Sequence, residues 1–244
     1  MSILEAKKIE PATATTVTLG AAGETVAIAA SQLKTNTIKD AGGNTIFTSD
    51  GSGTLSSVNS ALGSTMVFIS SQTASNSATV DFTSGIDSTY NEYVFYFINV
   101  QPVTDAQNFM FQVNAAGGSG FNETITSTWF VAYQNEAGSA TSVEFQSGSM
   151  PLRQATGVQQ IASDIGNDND QNSCGYLYIF NPSSTTYVKH YLAKTQNAHS
   201  SNYTQNQFTG GYGNTTSAVD AVQFSMSAGN IDAGKIKLYG LKDS

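Results

Sequence analysis

The sequence predicts an all-β protein in which an N-terminal β stem, residues 1–60, precedes an antiparallel β-sandwich head, residues 61–244. Three observations carry that prediction. In Tyr90–Val113, Tyr93, Phe95 and Phe97 share one face of an extended chain and Val94, Tyr96, Ile98 and Val100 share the other, as in a central strand apolar on both faces. Pro102 and Asp105 then mark a turn before a second strand with Phe109, Phe111 and Val113 on one face. From Met66 onward, short apolar runs and turn residues alternate at sandwich spacing, whereas residues 1–60 hold a single aromatic, Phe47, and cannot form a globular core.

Taking the chain in order, Leu19–Val26 and Ile38–Ile46 read as two copies of a strand–turn–strand unit, with Gly supplying positive φ in the turns. Units too small to bury an apolar face need stacking or a partner chain, which a symmetric homo-oligomer supplies. Val17, Leu19, Val26, Ile28, Ile38 and Ile46 are the candidate apolar positions of this intertwined stem; the alternative is a flexible Ser/Thr/Gly linker. Turn-rich residues 49–64 join stem to head.

Ten head strands follow: Met66–Ser70, Ala78–Phe82, Tyr90–Val100, Phe109–Asn114, Thr128–Asn135, Thr141–Gln146, Gly175–Phe180, Thr185–Lys194, Ala218–Met226 and Gly234–Leu241. The expected core rows are Trp129, Val131 and Tyr133; Tyr176, Tyr178 and Phe180; Val222, Phe224 and Met226; and Ile236 with Leu238. A short helical turn competes only at Val158–Ile165, between Gly157 and Gly166.

Charged residues are 11% and the net charge is −8, with Lys and Arg scattered singly, so a nucleic-acid partner lacks the basic face it needs. Cys174 is the one cysteine, which excludes an intrachain disulfide and a thiolate zinc site. The N-terminus has no apolar h-region and no run approaches the ~18 apolar residues of a membrane span. Synthesis in a cytoplasm is therefore expected, and the sequons at Asn122, Asn202 and Asn214 read as accidental.

Asp168, Asp170 and Asn172 place oxygen side chains at alternate positions, the opening spacing of a calcium loop, with Asp164 just before them. Ser173 stands where an EF-hand needs Gly and no closing Glu follows, so the competing reading is a solvated Asn/Asp turn. His190 and His199, the only histidines, sit in no metal or triad pattern. Glycosidic chemistry needs two carboxylates about 5–10 Å apart, and Glu92, Asp105, Glu123, Glu136 and Glu144 are the candidates. Thr195–Ser217 has the composition of a binding loop, in which Tyr203, Phe208 and Tyr212 offer rings for stacking on sugars; the alternative is a hairpin whose aromatics pack on the sandwich.

Four stretches, Leu33–Asn44, Tyr90–Asp105, Tyr178–His190 and Asn230–Lys242, together resemble the small tail-fibre-like or head-decorating virion proteins of tailed phages, especially those of marine hosts. The resemblance lies in strands and turns rather than in an active-site signature. It implies a virion surface protein, trimeric, with a jelly-roll-like head and no catalytic residue. The expected function is a short fibre that attaches to the particle by its stem and presents the head to the host surface, a surface glycan being one partner. A capsid-decorating protein at local three-fold positions is the first alternative; a polysaccharide depolymerase, from another class, is the last, since the head lacks the long solenoid typical of such enzymes.

Overall fold

The computed structural model describes residues 35–58, 65–145, 147–148 and 150–243. The chain divides into two compact units, Met1–Gly63 and Ser64–Ser244.

In the first unit β1 (Thr37–Lys39), β2 (Thr45–Ser49) and β3 (Leu55–Val58) form an antiparallel meander. An aspartate builds each turn. Asp40 accepts the backbone amide of Asn44 at 2.8 Å and its side-chain amide at 3.0 Å; Asp50 accepts the amides of Ser52 at 2.8 Å and Thr54 at 3.1 Å. These donors, the Asn44 side chain foremost for Asp40 and the Ser52 amide for Asp50, hold both carboxyl groups below the ordinary value. Ile38, Phe47 and Val58 pair directly across the strands and so share a face. No residue of 35–58 whose burial is described is buried. The repeat copy at 19–26, with Val17, Leu19, Val26 and Ile28, lies outside the described residues.

The second unit is an antiparallel β-sandwich with no helix among its described residues. Its strands are β4 (Met66–Ser77), β5 (Thr79–Phe82), β6 (Glu92–Pro102), β7 (Gln107–Ala115), β8 (Ile125–Asn135), β9 (Thr141–Phe145), β10 (Arg153–Ala155), β11 (Gln159–Ile165), β12 (Ser173–Phe180), β13 (Lys189–His199), β14 (Tyr203–Gly213), β15 (Val219–Met226) and β16 (Ile231–Leu241). A broad layer runs β4-β16-β6-β12-β13-β14-β8-β9, with β10 on the end of β8; a narrow layer runs β11-β7-β15-β5. One bridge, Ile165 to His199, ties the layers at β11 and β13. The chain crosses repeatedly between layers, as in a jelly-roll-like sandwich.

The core closes between the layers. Phe224 of β15 has Phe82, Phe95, Phe97 and Phe109 around it at ring separations of 6.2, 5.3, 5.3 and 5.7 Å, and all five rings are buried. β6 is central, between β16 and β12, as its two apolar faces require. Toward β8 and β14 the core turns polar: Gln159 accepts from Ser127 Oγ at 2.6 Å and Tyr191 Oη at 3.2 Å, while Gln112 donates to the carbonyls of Glu123 and Gly157 at 2.9 and 2.8 Å.

Three expectations are corrected. The helical turn that competed at Val158–Ile165 does not form: β11 is a strand, paired with β7 from Gln159–Phe111 to Ile165–Gln107, and side chains supply the bonds that this ladder leaves open. Thr195 Oγ1 donates to the Ile161 carbonyl at 2.5 Å and Asn197 Nδ2 to the Ser163 carbonyl at 3.0 Å. Gln207 Oε1 accepts the Ser163 amide, and Asn108 Oδ1 the Asp164 amide, both at 2.9 Å. Thr195–Ser217 is not a loop but the hairpin of the alternative reading: it contains the end of β13 and all of β14, paired without a break from Lys189–Gly213 to His199–Tyr203. Gly211 permits this packing, since a Cβ there would overlap the Thr126 carbonyl and the Tyr191 hydroxyl. Finally, Tyr176, Tyr178 and Phe180 face outward and half-buried, while Leu177 and Ile179 enter the core. With apolar residues on both faces of β12, alternation alone did not reveal which face is inside.

Candidate functional site

β11 is the end strand of the narrow layer, whereas the broad layer continues past β13 through β14, β8 and β9. A hollow of about 120 Å³ lies there, lined by Trp129, Val131 and Tyr133 of β8, Glu144 of β9, Gln205 of β14, and Met150, Ser163 and Asp164. Through Tyr133 and Gln205 it adjoins a wider cleft of about 350 Å³, lined also by His199, Ser201 and Tyr203.

Strand register sets these positions. Val131 pairs with both Glu144 and Gln207, and Tyr133 with Gln205, so β9, β8 and β14 turn these side chains to one face. Tyr133 Oη donates to Glu144 at 2.8 Å, and this bond to the carboxylate keeps the phenol protonated above its ordinary range. The Tyr203 ring meets Tyr133 edge-on at 5.6 Å and His199 at 5.5 Å. His199 Nδ1 accepts the Ser201 amide at 2.9 Å, which places the proton of the neutral ring on Nε2, 3.8 Å from the Asp164 carboxylate. Gln205 Oε1 accepts from Ser163 Oγ at 3.2 Å and Gln207 Nε2 at 2.9 Å. Trp129 is 1% exposed, and its Nε1 donor has no hydrogen-bond partner among the described residues.

Of the two tyrosines expected to bind a receptor, only Tyr203 lines this cleft. Tyr212 lies on the opposite face of β14, its ring 6.0 Å from His190 and its hydroxyl 3.5 Å from Gln154 Nε2. Phe208 shares the outer face with Tyr212. It stacks on Phe130 at 4.7 Å beneath the Lys194 ammonium, 5.1 Å from its ring centre. The two phenylalanines and Lys194 line an outer groove of about 480 Å³ with Tyr176, Tyr178, Phe180 and Leu192.

The Asp168–Asn172 segment is a turn held by amides. Gln101 Nε2 donates to the carbonyls of Asp168 at 2.6 Å and Gln171 at 2.9 Å, and the Gln171 amide donates to Asp168 at 2.9 Å. Asp168 and Asp170 are exposed and Asn172 is half-buried. Asp164, which the sequence places beside them, faces His199 instead. Among the described residues no three His, Cys, Asp or Glu side chains gather to hold a metal ion. Lys189 is 2% exposed, and its ammonium donates to the carbonyls of Ser184 and Tyr187, each at 2.7 Å; burial lowers its pKa. It ties loops together and lies outside both hollows.

Sequence reasoning named Tyr203, Glu144, Asp164 and His199 separately but did not join them, and it placed Trp129 only in the core. Alternation marks which side of a strand a residue takes, not which distant strand lies beside it. No known protein family, curated protein or solved structure matches this chain.

Proposed function

We propose that the chain is a non-enzymatic surface protein of a tailed-phage virion: a short homotrimeric fibre that attaches by its N-terminal unit and presents the sandwich to the host surface. The observation that carries this reading is the apolar row Ile38, Phe47 and Val58 on a three-stranded sheet with no buried residue described. So small a sheet is marginal alone and gains stability when further copies cover that row. The head, by contrast, has a complete aromatic core of its own.

Sedimentation of the full chain should return the mass of three copies, and electron microscopy of particles carrying a labelled chain should place it on the tail. A single-copy mass overturns the trimer. Label spread over the capsid shell replaces the fibre with a shell-decorating protein.

A further inference from the structure

We propose that the cleft beneath β8, β9 and β14 is a binding site for an uncharged sugar ring, with Trp129, Glu144, Asp164, Tyr203 and Gln205 as its contacts. The inference rests on the reading of the head as a host-surface binder and assigns that binding to one place. A pyranose presents hydroxyl groups around its rim and apolar C–H faces above and below. It therefore needs closely spaced acceptors and donors beside an aromatic face. The cleft has this mixture. Glu144 takes one bond from Tyr133, and the Asp164 side chain is 42% exposed, so both carboxylates retain acceptor capacity toward hydroxyl groups. The Oε1 of Gln205 is engaged twice, while its Nε2 donors have no protein partner among the described residues. Tyr203 and Tyr133 supply the rings.

The second, independent observation is the Trp129 indole. Its residue lines the hollow and is 1% exposed, and its Nε1 donor, with no hydrogen-bond partner among the described residues, is costly to leave unsatisfied at the wall of a space that a polar ligand can fill. Charge selects the class of sugar. Among the described residues the hollow and cleft are lined by carboxylates, tyrosines, His199 and neutral groups, with no Lys or Arg, and the chain carries a net charge of −8. Uronic, sialic and phosphorylated sugars are repelled; neutral ones are not. The wider cleft, about 350 Å³, sits at the small end of ligand sites and suits one or two rings.

Trp129 is the single tryptophan of the chain, so its fluorescence reports on this site alone. The full chain is titrated with the methyl glycosides of glucose, galactose, mannose and N-acetylglucosamine, and with methyl glucuronide. At least one neutral glycoside should change the emission saturably, with the glucuronide at least about tenfold weaker, as loss of one hydrogen bond or addition of one repulsion implies. Gln205→Ala and the isosteric Glu144→Gln should each weaken the neutral glycoside by about tenfold. Phe208→Ala, in the outer groove, should leave it unchanged. No saturable change with any glycoside, preferential binding of the glucuronide, or loss through Phe208→Ala with retention in Gln205→Ala and Glu144→Gln overturns the assignment. Binding of the chain to host cells, measured in parallel, separates the two readings. Cell binding with an inert Trp129 leaves the surface-binder reading standing and removes the cleft. A responsive Trp129 without cell binding does the reverse.

Discussion

Tyr203 and Tyr212 stand on opposite faces of one strand, an odd number of positions apart in β14, so Tyr203 turns to the inner cleft and Tyr212 to the outer face. They share no ring contact. Their replacement by Ala should therefore be additive in stability to within about 0.5 kcal/mol. Tyr203→Ala loses two edge-on ring contacts and should cost the more, each such pair being worth about 0.5–1.5 kcal/mol. Chemical denaturation of the two single variants and the double variant measures this; strong coupling between them would contradict the two-faced geometry.

Phe224 should be among the most costly truncations in the head, because it meets four other rings in the closed core. Phe224→Ala is expected to lose about 3–5 kcal/mol, and Phe145→Ala, 66% exposed, to stay within about 0.5 kcal/mol. Urea midpoints compared at constant slope decide it.

Alkaline pH should unfold the head through Tyr191. Burial raises this phenol far above its ordinary 10.0, so it stays protonated in the fold while the unfolded chain ionises. Above pH 10 the unfolded state thus binds fewer protons and stability falls with pH, by about 1.4 kcal/mol per pH unit for this one group. Lys189 acts in the opposite sense: burial lowers its pKa, so stability gains as pH rises from that lowered value toward the ordinary 10.5. Tyr191→Phe should be less stable near neutrality by about 1 kcal/mol, from its lost bond to Gln159, yet show a shallower decline above pH 10. An unchanged slope would mean that other phenols dominate.

The turn at Asp168–Asn172 depends on Gln101 in this geometry. Gln101→Ala should lower stability by about 1–3 kcal/mol, since it removes both bonds to the turn carbonyls, whereas exchanging chelator for millimolar calcium should leave the melting temperature unchanged. A rise of about 2.7 kcal/mol, the linkage expected at a hundredfold excess over the dissociation constant, would establish a calcium site there instead.

Removing residues 1–63 should leave a folded head, because Phe95, Trp129 and Phe224 keep their surroundings within Ser64–Ser244. Its sedimentation mass should fall to a single copy while its melting stays cooperative. A truncated head that remains trimeric would move assembly from the meander to the sandwich.

Composition and alternation by themselves determined an all-β chain, a central strand at Tyr93–Val100 and the turn-rich segments around Asp40 and Asp50, because those features depend on neighbours in sequence and on a period of two. The tertiary structure decided where both faces of a strand offered similar residues or where polar side chains were the mortar. β12 turned Leu177 and Ile179 inward rather than its tyrosines. β14 became a strand by pairing with β13 and β8, and β11 is bound to its neighbours through Thr195, Asn197 and Gln207, whose amide and hydroxyl groups read locally as loop residues and are strand-stabilising only when another backbone lies within reach. The cleft is of the same kind. Trp129, Glu144, Asp164 and Tyr203 come from separate strands, and what places them together is the greater width of one layer than the other, a property of strand order that no local pattern encodes.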